Sequence, residues 1–145
     1  MNAQFKATEL DRRSSNLIRL GAIEEADYLN AKVKVRVGDL VTAWLPWLTQ
    51  RAGGNISWHA PEVGEQVIIL SPSGELNQGV VLMAIYQNSA PPNANNPDIH
   101  RMDYGNGDFF EYDRAGGNLN IHISGNLTIN AGGTVTVMAQ QINLN

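Results

Sequence analysis

The sequence contains no cysteine. A disulfide framework and a thiolate metal site are both excluded, and the absence is neutral about compartment. No apolar run approaches the roughly 18 residues of a membrane-spanning helix, and the start MNAQFKATELDRR is not a secretory signal. Charge is also scarce. Ten Lys and Arg against fourteen Asp and Glu leave a formal charge of −4, a poor basis for gripping a nucleic-acid backbone. Catalytic signatures are missing too: there is no Cys nucleophile, no G-x-S-x-G elbow and no H-E-x-x-H helix. The carboxylate pairs Glu24-Glu25, Glu62 with Glu65, and Asp108 with Glu111 sit beside turns. They read as solvated acids, not as the opposed pair of a glycosidase. The chain is expected not to be an enzyme.

What the sequence does contain is a repeat. Gly117, Gly125 and Gly133 are spaced eight apart in GNLNIHIS, GNLTINAG and GTVTVMAQ. After each glycine, apolar residues occupy alternate positions: Leu119, Ile121 and Ile123, then Leu127 and Ile129, then Val135 and Val137. A period of two means short strands with one buried face, and the glycines mark a turn in each unit. So short a period suits a β-helix or a similar stacked array. One copy of three such units encloses almost nothing and leaves its edges open. Association of several copies about a common axis is the simplest remedy. The other face carries Asn118, Asn120, Asn126, Thr128, Asn130, Thr134 and Thr136, so the product is a thin rod with a polar surface. The competing arrangement is an ordinary antiparallel sheet packed on the upstream domain.

Upstream, 43% hydrophobic residues and 145 positions allow one small domain with an extension. Residues 5–20 suggest a short helix, with Thr8 as cap, Leu10, Leu17, Ile18 and Leu20 on its apolar side and Gly21 as its stop. The alternation KVKVRV over 32–37 turns Val33, Val35 and Val37 inward. Gly38-Asp39 makes a turn, and LVTAWL over 40–45 is the hairpin partner, ended by Pro46. Trp44, Trp47 and Trp58 flank one loop. They either form a platform for sugars or bases or, as favoured here, close a small barrel or fill a subunit contact. Val67 to Leu70 form a continuous apolar run, which predicts a strand buried on both faces. Ser71-Pro72-Ser73-Gly74 is a turn, and residues 78–86 are a second buried strand. About five strands by Tyr86 predict an all-β, OB-type barrel. Residues 88–98 are linker-like, with Pro91-Pro92 stiffening them. The turn at 104–108 precedes the strand FFEYD, with Phe109 or Phe110 inward. The expected layout is an N-terminal helix or arm at 1–20, a barrel at 21–90, a linker at 91–103 and a shaft at 104–145.

Taken together, several stretches resemble the baseplate assembly protein V family of contractile-tailed phages. They are NLIRLGAIEEADY, AKVKVRVGDLVTAWLPWLTQRAGG, PEVGEQVIILSPSGELNQGVVLMAIY, APPN and GNGDFFEYDRAGGNL. The chain also resembles the spikes of phage-tail-like bacteriocins and, more distantly, the spike portion of the valine-glycine-repeat proteins of type VI secretion. The resemblance implies a homotrimer with an OB-type base and an intertwined triple-stranded β-helix at its tip. It implies a structural role: the central spike sits on the baseplate hub, plugs the tail tube and is driven through the outer membrane of the target cell. It also implies a place in the virion or tail particle, assembled in the bacterial host cytoplasm.

One departure matters. Family members commonly hold an apex iron ion through a His-x-His motif, whereas this chain has only His59, His100 and His122. By alternation His122 points away from the axis, so no metal ligand and no cofactor is expected. The repeat is still running where the chain stops, so the apex is expected to have been truncated, with a separate tip-capping protein as the other arrangement. The competing function is an OB-type binding module for single-stranded nucleic acid or carbohydrate. Its only basic stripe is Lys32, Lys34 and Arg36, and no nucleic-acid partner is expected.

Overall fold

The computed structural model describes residues 2–145. The chain divides into two compact units, Met1–Pro91 and Pro92–Asn145.

The first unit opens on helix α1, Ala3–Asn16. Asn2 caps it, its side-chain oxygen accepting from the Phe5 N–H at 2.8 Å. Thr8 is not the cap. It lies mid-helix and donates its hydroxyl back to the Gln4 carbonyl at 2.9 Å. The helix ends before Ile18, earlier than the sequence reading to Leu20. Ile18 and Leu20 instead join a ladder opposite Leu70 and Ile68. Their spacing fits either period, and the long strand β1, Ile18–Asp27, wins because it pairs on both sides. Gly21 is therefore not a helix stop. A Cβ there would lie 2.5 Å from Val35 Cγ1 and 2.6 Å from the Arg36 carbonyl oxygen, so two strands approach closely at this point.

Five further strands complete this unit: β2 (Lys32–Val37), β3 (Leu40–Val41), β4 (Leu45–Pro46), β5 (Gln66–Leu70) and β6 (Val80–Ile85). The ladder order is β3-β2-β1-β5-β6, with β4 also on β2. The partner strand expected over 40–45 is thus two short pieces. Thr42 separates them because its hydroxyl turns inward, accepting from the Val35 N–H at 3.0 Å and donating to the Ala43 carbonyl. Pro46 does not end the pairing. It lies opposite Lys32 on an edge, where its missing N–H costs no ladder bond. The segment after it reaches the far side of the sheet, since Trp47 bridges Val81 and the Leu48 N–H donates to the Val81 carbonyl at 2.8 Å. The unit is a six-stranded sheet whose two ends are joined by that bridge, not by a continuous ladder.

The core is Ile23, Val33, Val35, Val37, Leu45, Val67, Ile69 and Val81, each at most 5% exposed. Trp47, Ala26, Leu76 and Met83 pack against it. Each large aliphatic side chain so buried contributes about 1.5–3 kcal/mol. The outward residues of β2 meet acids on β1: Lys34 pairs with Glu25 at 2.9 Å and Arg36 with Glu24 at 2.7 Å. One expectation fails here. Ile68 and Leu70 were read as buried with Val67 and Ile69, but Leu70 is exposed and Ile68 only half-buried. A single layer of side chains fills the inside, and the outward positions of β5 stay at least partly in water.

The second unit is a three-stranded antiparallel sheet, β7 (Ile99–Asp103), β8 (Phe109–Asp113) and β9 (Asn118–His122), in the order β7-β8-β9. Ile99–Asp103 was read as the end of a linker, but these residues form the strand paired to FFEYD. Beyond His122 the chain runs without strand pairing, bending at Ser124-Gly125 and again at Gly132-Gly133.

Candidate functional site

The two hairpin turns of this sheet fix which residues share a face. At the first turn the Tyr104 N–H donates to the Asp108 carbonyl and the Gly107 N–H to the Tyr104 carbonyl. At the second, Gly117 adopts φ +66, a conformation glycine reaches without strain. The resulting register sets Met102, Phe110 and Ile121 in one row and His100, Tyr112 and Leu119 in the next. Because side chains alternate across a strand, these rows form one face. Phe110, not Phe109, thus shares a face with Leu119 and Ile121.

The opposite face is polar and internally paired. Arg101 donates to Asp103 through Nε and Nη2 at 2.8 and 2.7 Å, and to Glu111 through Nη1 at 2.6 Å. Asn93 donates to Asp103 at 2.7 Å. The Arg101 hydrogen bonds, then that from Asn93, bring the Asp103 carboxyl down to about 2. The same guanidinium lies 4.3 Å from the centre of the Phe109 ring. His122 stacks on that ring, with centroids 5.4 Å apart and planes inclined by 18°. Asp108 closes the end, accepting from the Ser124 N–H at 2.8 Å, and this bond is the chief reason its carboxyl lies below its ordinary range.

One face of the sheet is therefore locked by its own ion pairs, while the other is apolar and open. Met102, Phe110 and Tyr112 are exposed, and Leu119, Ile121, Ile123, Leu127, Ile129, Val135 and Val137 lie between 40% and 69% exposed. Exposed apolar side chains gathered on one face of the sheet mark a candidate interaction site.

A family profile described as Type VI secretion system/phage-baseplate injector OB domain matches residues 19–86. Those residues run from the start of β1 to just past the end of β6. The chain is also 40% identical over 113 residues to a protein named Spike protein from Escherichia phage P2, an alignment covering 78% of this chain and 54% of that relative. This chain belongs to the phage baseplate assembly protein V family. It spans about half the length of the family relative it matches. The baseplate assembly protein V family accounts for the mostly β character, the short N-terminal helix and the OB domain of the first unit.

The remaining candidate residues of this family member are dispersed. Trp47 and Trp58 pack together with centroids 5.6 Å apart, while Trp44 lies elsewhere, under the Lys34 ammonium at 4.8 Å. The three tryptophans thus make no common platform. Lys34 and Arg36 of the basic stripe are engaged by Glu25 and Glu24. His122 is held flat against Phe109, and among the described residues no three His, Cys, Asp or Glu side chains gather where a metal could be held. The sequence reading missed Met102 and Tyr112 as companions of Leu119 and Ile121, and left Phe110 undecided against Phe109. The signal was the length of the turns at 104–108 and 114–117, which sets the parity between strands.

Proposed function

We propose that this chain is the central spike of a contractile-tail baseplate and that it works as a homotrimer. Three C-terminal tails wrap about a common axis as a triple-stranded β-helix, with Leu119, Ile121, Ile123, Leu127, Ile129, Val135 and Val137 turned inward. Gly117, Gly125 and Gly133 make the repeated turns. The observation that carries this reading is the open apolar face of β9, together with the exposed apolar residues that recur at odd-numbered positions through Val137. A single copy leaves these side chains in water, and three copies can remove them from it. Intertwining also gives every strand a hydrogen-bond partner, so no lateral edge is left to fray. A shaft without edges is stiff, and stiffness is what thrust requires.

In this reading the OB domain is the base, seated on the baseplate hub, and the trimer plugs the tail tube. Contraction drives it through the outer membrane of the target cell. A separate protein capping its tip is a further partner in this reading. The machine assembles in the bacterial host cytoplasm and ends in the virion or tail particle. No cofactor, no catalysis and no nucleic acid enters this function.

The test is the mass of the purified chain by light scattering at micromolar concentration. A trimer that survives detergent at room temperature is expected. A monomer would sink the proposal.

A further inference from the structure

The turn that joins β7 to β8 holds the one Asn-Gly pair in the sequence, Asn106-Gly107. An asparagine before glycine is chemically labile. Glycine has no Cβ to shield its backbone nitrogen, which is free to attack the carbonyl carbon of the asparagine side chain. Asn106 and Gly107 are both exposed, so burial does not hold that step back. Hydrogen bonds do. The nucleophile is engaged, because the Gly107 N–H donates to the Tyr104 carbonyl at 3.0 Å. The leaving group is engaged too, because the Asn106 side-chain nitrogen donates to Asp108 Oδ2 at 2.9 Å. The Asn106 Oδ1 accepts from the Asp108 N–H at 3.1 Å, which turns the side chain towards residue 108. With its other carboxylate oxygen Asp108 accepts from the Ser124 N–H at 2.8 Å, so one residue ties the labile asparagine to the start of the C-terminal tail.

We propose that Asn106 is a deamidation site gated by this turn: it stays intact while Asp108 holds it and converts when the turn opens. On opening, the Gly107 nitrogen bonds to the Asn106 Cγ and the bond from Cγ to the side-chain nitrogen breaks. That nitrogen leaves as ammonia, carrying the proton that Gly107 gives up. Water then adds to one carbonyl or the other of the five-membered imide. The product is aspartate or, with the chain rerouted through the side chain, isoaspartate. The change runs one way. The amide donors are gone, and a carboxylate now stands where Asn106 donated to the Asp108 carboxylate. Two like charges at that spacing oppose reclosure. Asp108 then loses its place beneath Ser124, and the junction between β9 and the tail loosens with it.

The test incubates the full chain at mildly alkaline pH, with and without denaturing guanidinium chloride, and follows each asparagine by peptide mass. In denaturant Asn106 is expected to convert before any other asparagine. In the folded chain it should convert at least about tenfold more slowly, since only the opened fraction reacts. Another asparagine converting first in denaturant overturns the site, and equal rates in the two conditions overturn the gating. Asn106→Asp carries the product's charge from the outset. In that variant the Ser124 N–H should exchange with deuterium at least about fivefold faster than in the parent at neutral pH. Unchanged exchange at Ser124 overturns the link between this turn and the tail.

Discussion

Phe110 stands directly opposite Ile121 across the β8–β9 ladder, and both are exposed. Cross-strand neighbours of this kind lie about 4.5–5.5 Å apart at Cβ and pack against each other. Met102 completes the row from β7. The row is half of a hydrophobic layer, lacking the layer that should lie on top of it.

Replacing Ile129 with Asp tests where that layer comes from. Three unpaired carboxylates crowding one axis should cost about 3–5 kcal/mol or more. The trimer is expected to dissociate at micromolar concentration, read by light scattering. If the variant remains a stable trimer, Ile129 does not face the axis.

Acid should loosen the second unit in a defined window. The Asp103 carboxyl is lowered from 3.8 to about 2 by Arg101 and then Asn93. A lowered folded value means its contribution is fully present above about pH 4 and is lost as the pH falls towards 2. Glu9, brought from 4.5 to about 2 by Arg12 and Arg13, acts in the same sense on α1. Urea midpoints measured from pH 5 to pH 2 should fall through this interval. Asp103→Asn should lower the midpoint at pH 6 and flatten the decline. An unchanged slope in that variant would mean the pairing with Arg101 contributes nothing.

Gly21→Ala should destabilise the first unit by about 1–3 kcal/mol. The added methyl meets Val35 and the Arg36 carbonyl inside ordinary contact distance. Thermal unfolding followed by tryptophan fluorescence reads the change, and a neutral result would mean the strands separate there at little cost.

Ile69 and Leu70 are sequence neighbours on opposite faces. In a background already carrying Ile129→Asp, Ile69→Ala should cost about 2–5 kcal/mol. Leu70→Ala should cost about 0.5 kcal/mol or less, as surface changes do. Equal losses at the two positions would show that the outward face of β5 is covered.

Single-stranded DNA should show no salt-dependent binding in a fluorescence titration. Lys34 and Arg36 already hold Glu25 and Glu24, leaving little charge to release counterions. Affinity that falls with added salt would revive the nucleic-acid alternative.

How legible all this was depended on whether a residue's partner lay close in the chain. Val33, Val35 and Val37 announced themselves by strict alternation, and all three are buried. Leu17 to Leu20 misled because their spacing suits a helix or a strand, and the deciding contacts come from residues 66–70, far along the chain. Thr8 looked like a cap because its type favours caps, but Asn2 was better placed to reach an early N–H. The run from Val67 to Leu70 was read as doubly buried, which one copy alone does not provide. In the candidate site, the choice between Phe109 and Phe110 stayed open because adjacent aromatics satisfy either parity. Only the pairing of Arg101 with Glu111, ten positions away, and the turns around it fix which ring goes where.

The ion-paired side of the C-terminal sheet has a consequence for how the proposed trimer comes together. Because Arg101, Asp103, Glu111 and Asn93 align β7 and β8 within one chain, each newly made copy brings a finished starter to its first encounter. In the proposed trimer, three such starters need to find only one mutual alignment. The remainder, which bends at Gly125 and Gly133, would then close downwards from that alignment one octad at a time in the proposed β-helix.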